Sequence, residues 1–404
     1  MGIQVDPRNV VGRDRLIDHI WRKLAKSSIR FTAERRIGKI TVMRKMLAER
    51  QPGTELIFID LEKVDSPHRF TEVMLTEMKP WLSRTQKAAG LFQGFLADIE
   101  GVEIAGVIKI PDGDRIGWKA MLEKTFARVC SHQPDTLLVL LLDELPYMLQ
   151  KIAAKEKRAG TQEHAALEIL DTLRAMRAQH ANLRMIFAGS VGLHHVLTDL
   201  RATQLASQPV NDMPLVPIEA LSLPDAVTLA KRLLKDEGVP VVVADEERLP
   251  RELASLTDRV PFYLERVVAS LAELDGPVSV EHAHQVVRQQ MTDDHDAWEM
   301  EHFRTRLEIY YPGTSTDANG RPITNESVAR ALLDILAVAS TPQTIDQVWA
   351  AMKAQMALDD RHEIVRLLTS LAQDHYLIAD TEKRYAFRFP LIRRWWILAQ
   401  GLSS

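Results

Sequence analysis

The chain has 404 residues, of which 46% are apolar and 26% charged, and a formal net charge of −4. That length and balance suit two or three globular domains and exclude a disordered chain, a collagen-like fibre and a coiled-coil rod. The single cysteine, Cys130, excludes an intramolecular disulfide and a cysteine-based zinc site, and suits a reducing compartment.

The first ten residues, MGIQVDPRNV, lack the apolar stretch of a secretory signal. The longest apolar run, Leu137 to Leu142, falls far short of the roughly 20 residues that a membrane span needs. The expectation is a cytoplasmic chain with no membrane partner. Residues 1–50 carry 13 Lys/Arg against 5 Asp/Glu, leaving −12 on the remainder. A basic segment of this kind suits phosphates, of a nucleotide or of nucleic acid, and equally a solvated face.

Through the first half, short apolar runs alternate with longer helical patterns, the mark of an α/β parallel sheet. Strands are expected at 28–32, 56–60, 137–142, 183–188 and 213–218; Pro214 and Pro217 confine the last to an edge. Helices are expected at 70–82, 117–130 and 164–179, and the alternation of GVEIAGVIKI (101–110) predicts a small hairpin. From residue 220 the pattern turns helical, with helices at 250–256 and 261–274. The boundaries read as a core over 1–218, a helical lid over 219–305 and a Gly/Pro/Ser/Thr-rich linker over 306–326. In the last part, 327–404, helices at 328–339, from Thr344, and at 360–374 precede a hairpin formed by 376–379 and 385–389. Thr344 with Gln347 makes a capping box. Three helices and a hairpin are the order of a winged helix-turn-helix.

After the first strand comes Ala33-Glu-Arg-Arg-Ile-Gly38-Lys39-Ile40-Thr41, leading into a helical stretch. The phosphate-binding loop pattern G-x-x-x-x-G-K-[ST] occupies this position, because backbone N–H groups and a helix N-terminus cradle phosphates while the Lys reaches their β/γ oxygens. Ala33 replaces the first Gly, and Ile40 replaces the hydroxyl residue that ligates Mg²⁺. Thr41 offers a hydroxyl one position late, rotated about 100° around the helix. The run Leu137-Leu-Val-Leu-Leu-Leu-Asp143-Glu144 supplies the partner motif. Asp143 at the strand end is placed to hold Mg²⁺ and Glu144 to polarise an attacking water. Losing the hydroxyl ligand at Ile40 would cost ~1.5–3 kcal/mol, which binding tolerates more easily than turnover.

In these motifs the chain resembles the archaeal-type P-loop ATPases of the AAA+/STAND kind, related to the Orc/Cdc6 initiators. Val10-Val-Gly12-Arg13-Asp14 is similar to the family's G-R-E box beside the adenine, and Ala33-Glu-Arg-Arg-Ile-Gly-Lys to its A-P-R-R-x-G-K form of Walker A. On that reading Ala33 is usual, while Glu34 and Ile40 depart. Leu141-Leu-Asp143-Glu144-Leu-Pro146 resembles its Walker B, and Phe187-Ala-Gly189-Ser190 its sensor strand end, which implies Ser190 near the γ-phosphate. Val260-Pro261-Phe262-Tyr263 is similar to its G-x-P lid motif, with Arg259 where Gly is usual. Tyr385-Ala-Phe387-Arg388-Phe389-Pro390 to Trp396 resembles the end of its winged helix.

The resemblance implies an α/β P-loop NTPase core with a helical lid and a C-terminal winged helix, and a nucleotide-controlled switch using ATP or ADP with Mg²⁺. Its nucleotide residues would be Gly12, Arg13, Arg36, Ile37, Gly38, Lys39, Ile40, Thr41 and Pro261, its metal residues Asp143 and Thr41, and its catalytic residues Glu144 and Ser190. It also implies a homo-oligomer or a protein partner. Double-stranded DNA is a further candidate partner through Arg361, His362, Arg366, Lys383 and Arg384, although 361–404 carries a surplus of only +3, from 7 Lys/Arg against 4 Asp/Glu. Trp395 and Trp396 read as buried anchors of the last helix. His295, Glu299 and His302 fall at i, i+4 and i+7, a spacing that could hold a metal but suits solvated polar residues better. The alternative to an ATPase is a non-hydrolysing nucleotide-binding adaptor, favoured by Ile40 and opposed by the intact Asp143-Glu144 pair.

Overall fold

In the computed structural model, each of the five apolar runs forms a strand of one parallel sheet. The structure describes residues 6–82, 102–104, 107–109, 117–161, 164–189, 192–201, 208–293, 295–317 and 319–403. It divides into two units, Met1–Ala33 with Lys39–Ile218 and Glu34–Gly38 with Glu219–Ser404.

The first unit runs α1 (Asp14–Leu24), β1 (Ile29–Ala33), α2 (Lys39–Ala48), β2 (Thr54–Asp60), α3 (Pro67–Leu82), β3 (Val102–Ile104), β4 (Val107–Lys109) and α4 (Trp118–His132). It continues with β5 (Leu137–Asp143), α5 (Leu145–Ala159), α6 (Ala165–Gln179), β6 (Leu183–Phe187), α7 (Leu193–Arg201) and β7 (Leu215–Ile218). The sheet order is β2-β5-β6-β1-β7. Leu138 through Leu142 are all buried, as an unbroken apolar strand inside a parallel sheet must be, and they share a core with Phe70, Met74, Phe126, Leu149 and Leu173. β7 is the edge strand, where Pro217 lies opposite Thr32 and removes no N–H that an inner ladder would need. β3 and β4 pair as the antiparallel hairpin expected from their alternation.

The second unit holds α8 (Leu223–Asp236), α9 (Leu249–Leu256), α10 (Pro261–Ala272), α11 (Val280–Met291) and α12 (His302–Tyr310). The stretch expected to be a linker carries the end of α12 and a hairpin, β8 (Thr314–Thr316) with β9 (Pro322–Thr324). Its turn is built by the Asp317 carboxylate, which accepts the N–H groups of Asn319 at 2.8 Å and Arg321 at 2.7 Å. Then follow α13 (Asn325–Val338), α14 (Ile345–Met356), α15 (Arg361–Gln373), the antiparallel β10 (Leu377–Ala379) and β11 (Tyr385–Phe387), and α16 (Pro390–Gln400). Thr344 and Gln347 close the capping box of α14 as the sequence predicts. Trp395 and Trp396 are buried, and the Trp396 indole N–H donates to Asp334 on α13 at 2.7 Å. Among the described residues no helix is long and apolar enough to cross a membrane.

One acid carries a pH-dependent load. Asp258 lies in the left-handed region (φ 50), and its carboxylate accepts the Leu391 N–H at 2.6 Å in the first turn of α16. Burial pushes its pKa up to about 6 from 3.8, against that hydrogen bond and the charges of Arg394 and Arg259. A carboxyl whose folded pKa exceeds its unfolded one binds its proton more tightly in the folded chain, so its stabilising contribution is complete at low pH and is lost as pH rises through 6. Asp258→Asn, which keeps an acceptor without the charge, should gain stability relative to wild type between about pH 4 and 7. The gain should reach up to about 3 kcal/mol in urea unfolding. A difference that stays flat across that range would overturn this assignment.

Candidate nucleotide-binding site

β1 ends at Ala33 and α2 opens at Lys39, so residues 34–38 form the strand-to-helix loop. Gly38 has φ 99 and Arg36 φ 68, and the two left-handed residues turn the chain sharply into the helix. Glycine is at home there; an arginine in that region is uncommon and costs of order 1–3 kcal/mol, the kind of strain found at functional loops. Ile37 is buried, Ile40 is 43% exposed on the first turn of α2, and Thr41 is half-buried.

In the first unit, the Lys39 ammonium lies 3.0 Å from Asp143 Oδ1 and 3.1 Å from Glu144 Oε1. Both carboxylates come from the C-terminal end of β5. The Glu144 N–H donates to Asp143 Oδ1 at 3.1 Å, and Glu144 itself is left-handed (φ 54) at the N-terminus of α5. Burial pushes the Asp143 carboxyl up, while Lys39 pulls it back. Gly12 is left-handed (φ 71), and Arg13 is buried at the start of α1. Ser190 lies outside the described residues.

In the second unit, the loop meets a short segment around the start of α12. Glu34 and Arg306 are both buried and paired, with the Arg306 Nη1 donating to Glu34 Oε1 at 3.0 Å. Arg35 donates to Glu299 at 2.8 Å and to Nδ1 of His302 at 3.0 Å. Arg36 is ion-paired with the same Glu299 and lies over the Phe262 ring, 4.3 Å from its centroid. The Arg36 Nε is buried without a hydrogen-bond partner. Burial pushes the Glu34 carboxyl up, opposed by Arg306. Burial also drives His302 down to about 3, helped by Arg306, Arg35 and Arg36, so the ring is neutral and accepts from Arg35. At Glu299 burial works upward, but the Arg36 hydrogen bond and the two guanidinium charges outweigh it and hold the carboxyl below its usual range.

The sequence did not show these partners. His295 and Glu299 precede α12, in a turn where Asp296 accepts the N–H groups of Met300 at 2.6 Å and Glu301 at 3.0 Å, so the i, i+4, i+7 face does not exist. The one available signal was Glu34 itself, an acid among cations where the resembled motif has proline. Pro261 opens α10, and Arg259, standing where glycine is usual, is left-handed (φ 62), the conformation glycine adopts freely.

The cations proposed for DNA are largely met nearby. Arg361 pairs with Asp346 at 2.5 Å, Arg366 with Glu363 at 2.7 Å, and Arg384 with Asp380 at 2.7 Å. His362 and Lys383 are exposed.

No family model matches the sequence, and the comparison with curated proteins gave no match. Among solved structures, the Walker-type ATPase of Pyrococcus abyssi superposes with a TM-score of 0.65 at 14% identity, covering 96% of each chain. The chain shares the fold of that Walker-type ATPase. The ADP form of ORC2 from Aeropyrum pernix aligns over 100% of this chain and 98% of its own, with a TM-score of 0.44 and 12% identity. The Holliday junction branch migration motor RuvB of Thermotoga maritima aligns over 98% and 96%, with a TM-score of 0.39 and 9% identity.

The Lys39 cluster should be energetically coupled, because the largely covered ammonium faces the buried Asp143 carboxylate. Lys39→Met and Asp143→Asn should each destabilise the chain. Together they should cost less than the sum of the two by about 1–3 kcal/mol, measured as a double-mutant cycle in urea. Additive losses would mean that the contact carries no energy.

Proposed function

We propose that the chain is a Mg²⁺- and ATP-binding ATPase acting as a nucleotide-controlled switch, whose C-terminal three helices and hairpin form a winged-helix module. The observation that carries this reading is Lys39 at the first residue of α2, 3.0 Å from the buried Asp143 at the end of β5. A strand, a tight loop with left-handed Gly38, a helix-initiating lysine and two carboxylates are what polyphosphate binding requires.

The residues fit the ligands. The partnerless buried Nε of Arg36 and the Arg35 and Arg36 charges suit a polyanion, and Asp143 is a buried oxygen donor of the kind a hard divalent cation takes. Asp143 and Thr41 would hold Mg²⁺, which when bound would offset phosphate charge. Lys39 would exchange carboxylate for phosphate oxygens, and Glu144, released from Lys39, would accept a proton from water. Gly12 and Arg13 would line the nucleoside. The exposed Ile40, in place of a hydroxyl, favours a second reading, a nucleotide-binding adaptor without turnover.

Titration calorimetry of ATP and ADP, with Mg²⁺ and with EDTA, tests the site. Binding should weaken at least a hundredfold in Lys39→Met checked to be folded. Glu144→Gln should bind ATP and lose turnover; wild-type binding with no Mg²⁺ dependence and no turnover selects the adaptor, and no binding in any condition ends both readings.

For the winged module, local pairing of Arg361, Arg366 and Arg384 favours a protein surface over a duplex. Each phosphate contact contributes about −0.9 to the slope of log K against log salt. The full chain should therefore bind a 30-base-pair duplex weakly, with affinity falling less than tenfold between 50 and 200 mM salt. A fall of a hundredfold or more would show that the arginines leave their acids for DNA.

A further inference from the structure

Three consecutive residues of the phosphate loop are held by one short stretch of chain. Glu34 is gripped by Arg306, Arg35 by His302 and Glu299, and Arg36 by Glu299. All of these partners fall within 299–306. The Glu34 carboxylate also accepts the Arg35 N–H at 2.7 Å, through the same Oε1 that Arg306 holds, and the Glu34 carbonyl accepts the Ile37 N–H at 3.4 Å. One side-chain oxygen therefore ties Arg306 to the backbone of the loop.

Arg306 is itself fixed. Its Nη2 donates to the Asp374 carbonyl at 3.0 Å, its guanidinium lies 5.1 Å from the Tyr376 ring centroid, and Asp374 accepts the Tyr311 hydroxyl at 2.7 Å. Burying such a pair is costly, and the partnerless Glu34 Oε2 and Arg306 Nε add to the cost. Packing alone would be served as well by two apolar residues, so the charge needs another account.

We infer that Arg306 is a positioning residue for the phosphate-binding loop, acting through Glu34, so that the start of α12 sets the loop geometry on which nucleotide affinity depends. This rests on the nucleotide-binding reading above for its consequence, but not for its structural content. A group that holds the loop in its binding form lowers the cost of ordering it when phosphates arrive. Coupling of this kind is reciprocal: nucleotide on the loop should in turn slow local opening around 299–306.

The test combines hydrogen exchange of the full-length chain with calorimetry of ATP. Glu34→Gln is nearly isosteric and keeps an acceptor for Arg306; Arg306→Lys keeps the charge but not the fork that reaches both Glu34 and Asp374. In both, exchange at the amides of 35–38 should rise at least tenfold while peptides from β5 stay unchanged, and ATP affinity should fall about tenfold with the melting transition still cooperative. The double variant Glu34→Gln/Arg306→Met, which removes both charges of that pair and leaves Asp374 the Tyr311 hydroxyl, should refold the unit yet keep the fast loop exchange. Loop exchange equal to wild type in a folded Glu34→Gln or Arg306→Lys variant overturns the inference, and so does fast exchange with unchanged affinity in a chain that binds ATP. If wild type binds no ATP while the loop exchange rises as expected, the nucleotide reading fails and the positioning contact stands.

Discussion

A parallel sheet delivers the C-terminal ends of all its strands to one side, and the Lys39 cluster of this chain depends on that constraint. With the order β2-β5-β6-β1-β7, β1 and β5 are separated by one strand, so the loop after β1 and the acids after β5 emerge on a common side of the first unit. Lys39 closes the interval by reaching Asp143 and Glu144. An unbroken apolar β5 makes this possible: Leu138 to Leu142 are buried and paired on both sides with β2 and β6, and Asp143 is the last residue of the strand. Left-handed Glu144 then turns the chain directly into α5, keeping the two carboxylates adjacent at the strand end.

The arginines of the loop face a different balance. Arg35 and Arg36 share one carboxylate, Glu299, which leaves a net positive charge on that cluster, whereas Glu34 is neutralised by Arg306. The surplus suits a polyanion, and the neutral pair suits a structural tie. His302, kept uncharged by burial among cations, accepts from Arg35 without adding to the repulsion. The cluster thus separates groups that can exchange an acid for a phosphate from groups whose removal would leave a buried charge unpaired.

Much of the architecture was legible because it rests on local rules. The five strands announce themselves by apolar runs, the 101–110 hairpin by alternation and α14 by its capping box. The β8–β9 hairpin was missed because its strands are three residues long and polar, so composition reads as a linker while the Asp317 turn decides the structure. In the loop, motif spacing marks Gly38 and Lys39, but spacing says nothing about Glu34, whose partner lies 272 residues away. Pairings of that separation carry no periodicity, and Glu299 and His302 were misplaced onto one helix for the same reason: the turn built by Asp296 interrupts the phase.

On the proposed reading, the position of Ile40 would let binding and turnover separate physically. The side chain is exposed on the first turn of α2, so its replacement of a hydroxyl disturbs neither the helix nor the contacts of Lys39. On the proposed reading, charge on a polyphosphate would be met mainly by groups that the substitution leaves in place: the lysine, the loop amides and the arginines. What the hydroxyl would add is directional, a fixed oxygen for the cation, and chemistry depends on such placement more steeply than affinity does. Thr41 offers its hydroxyl about 100° further round the helix, so the oxygen it would give the cation comes from a different direction. The same logic reaches Glu144. While it accepts from Lys39 it is committed as a counter-ion; on the proposed reading it would become available as a base only once phosphate took the ammonium, so binding would precede activation.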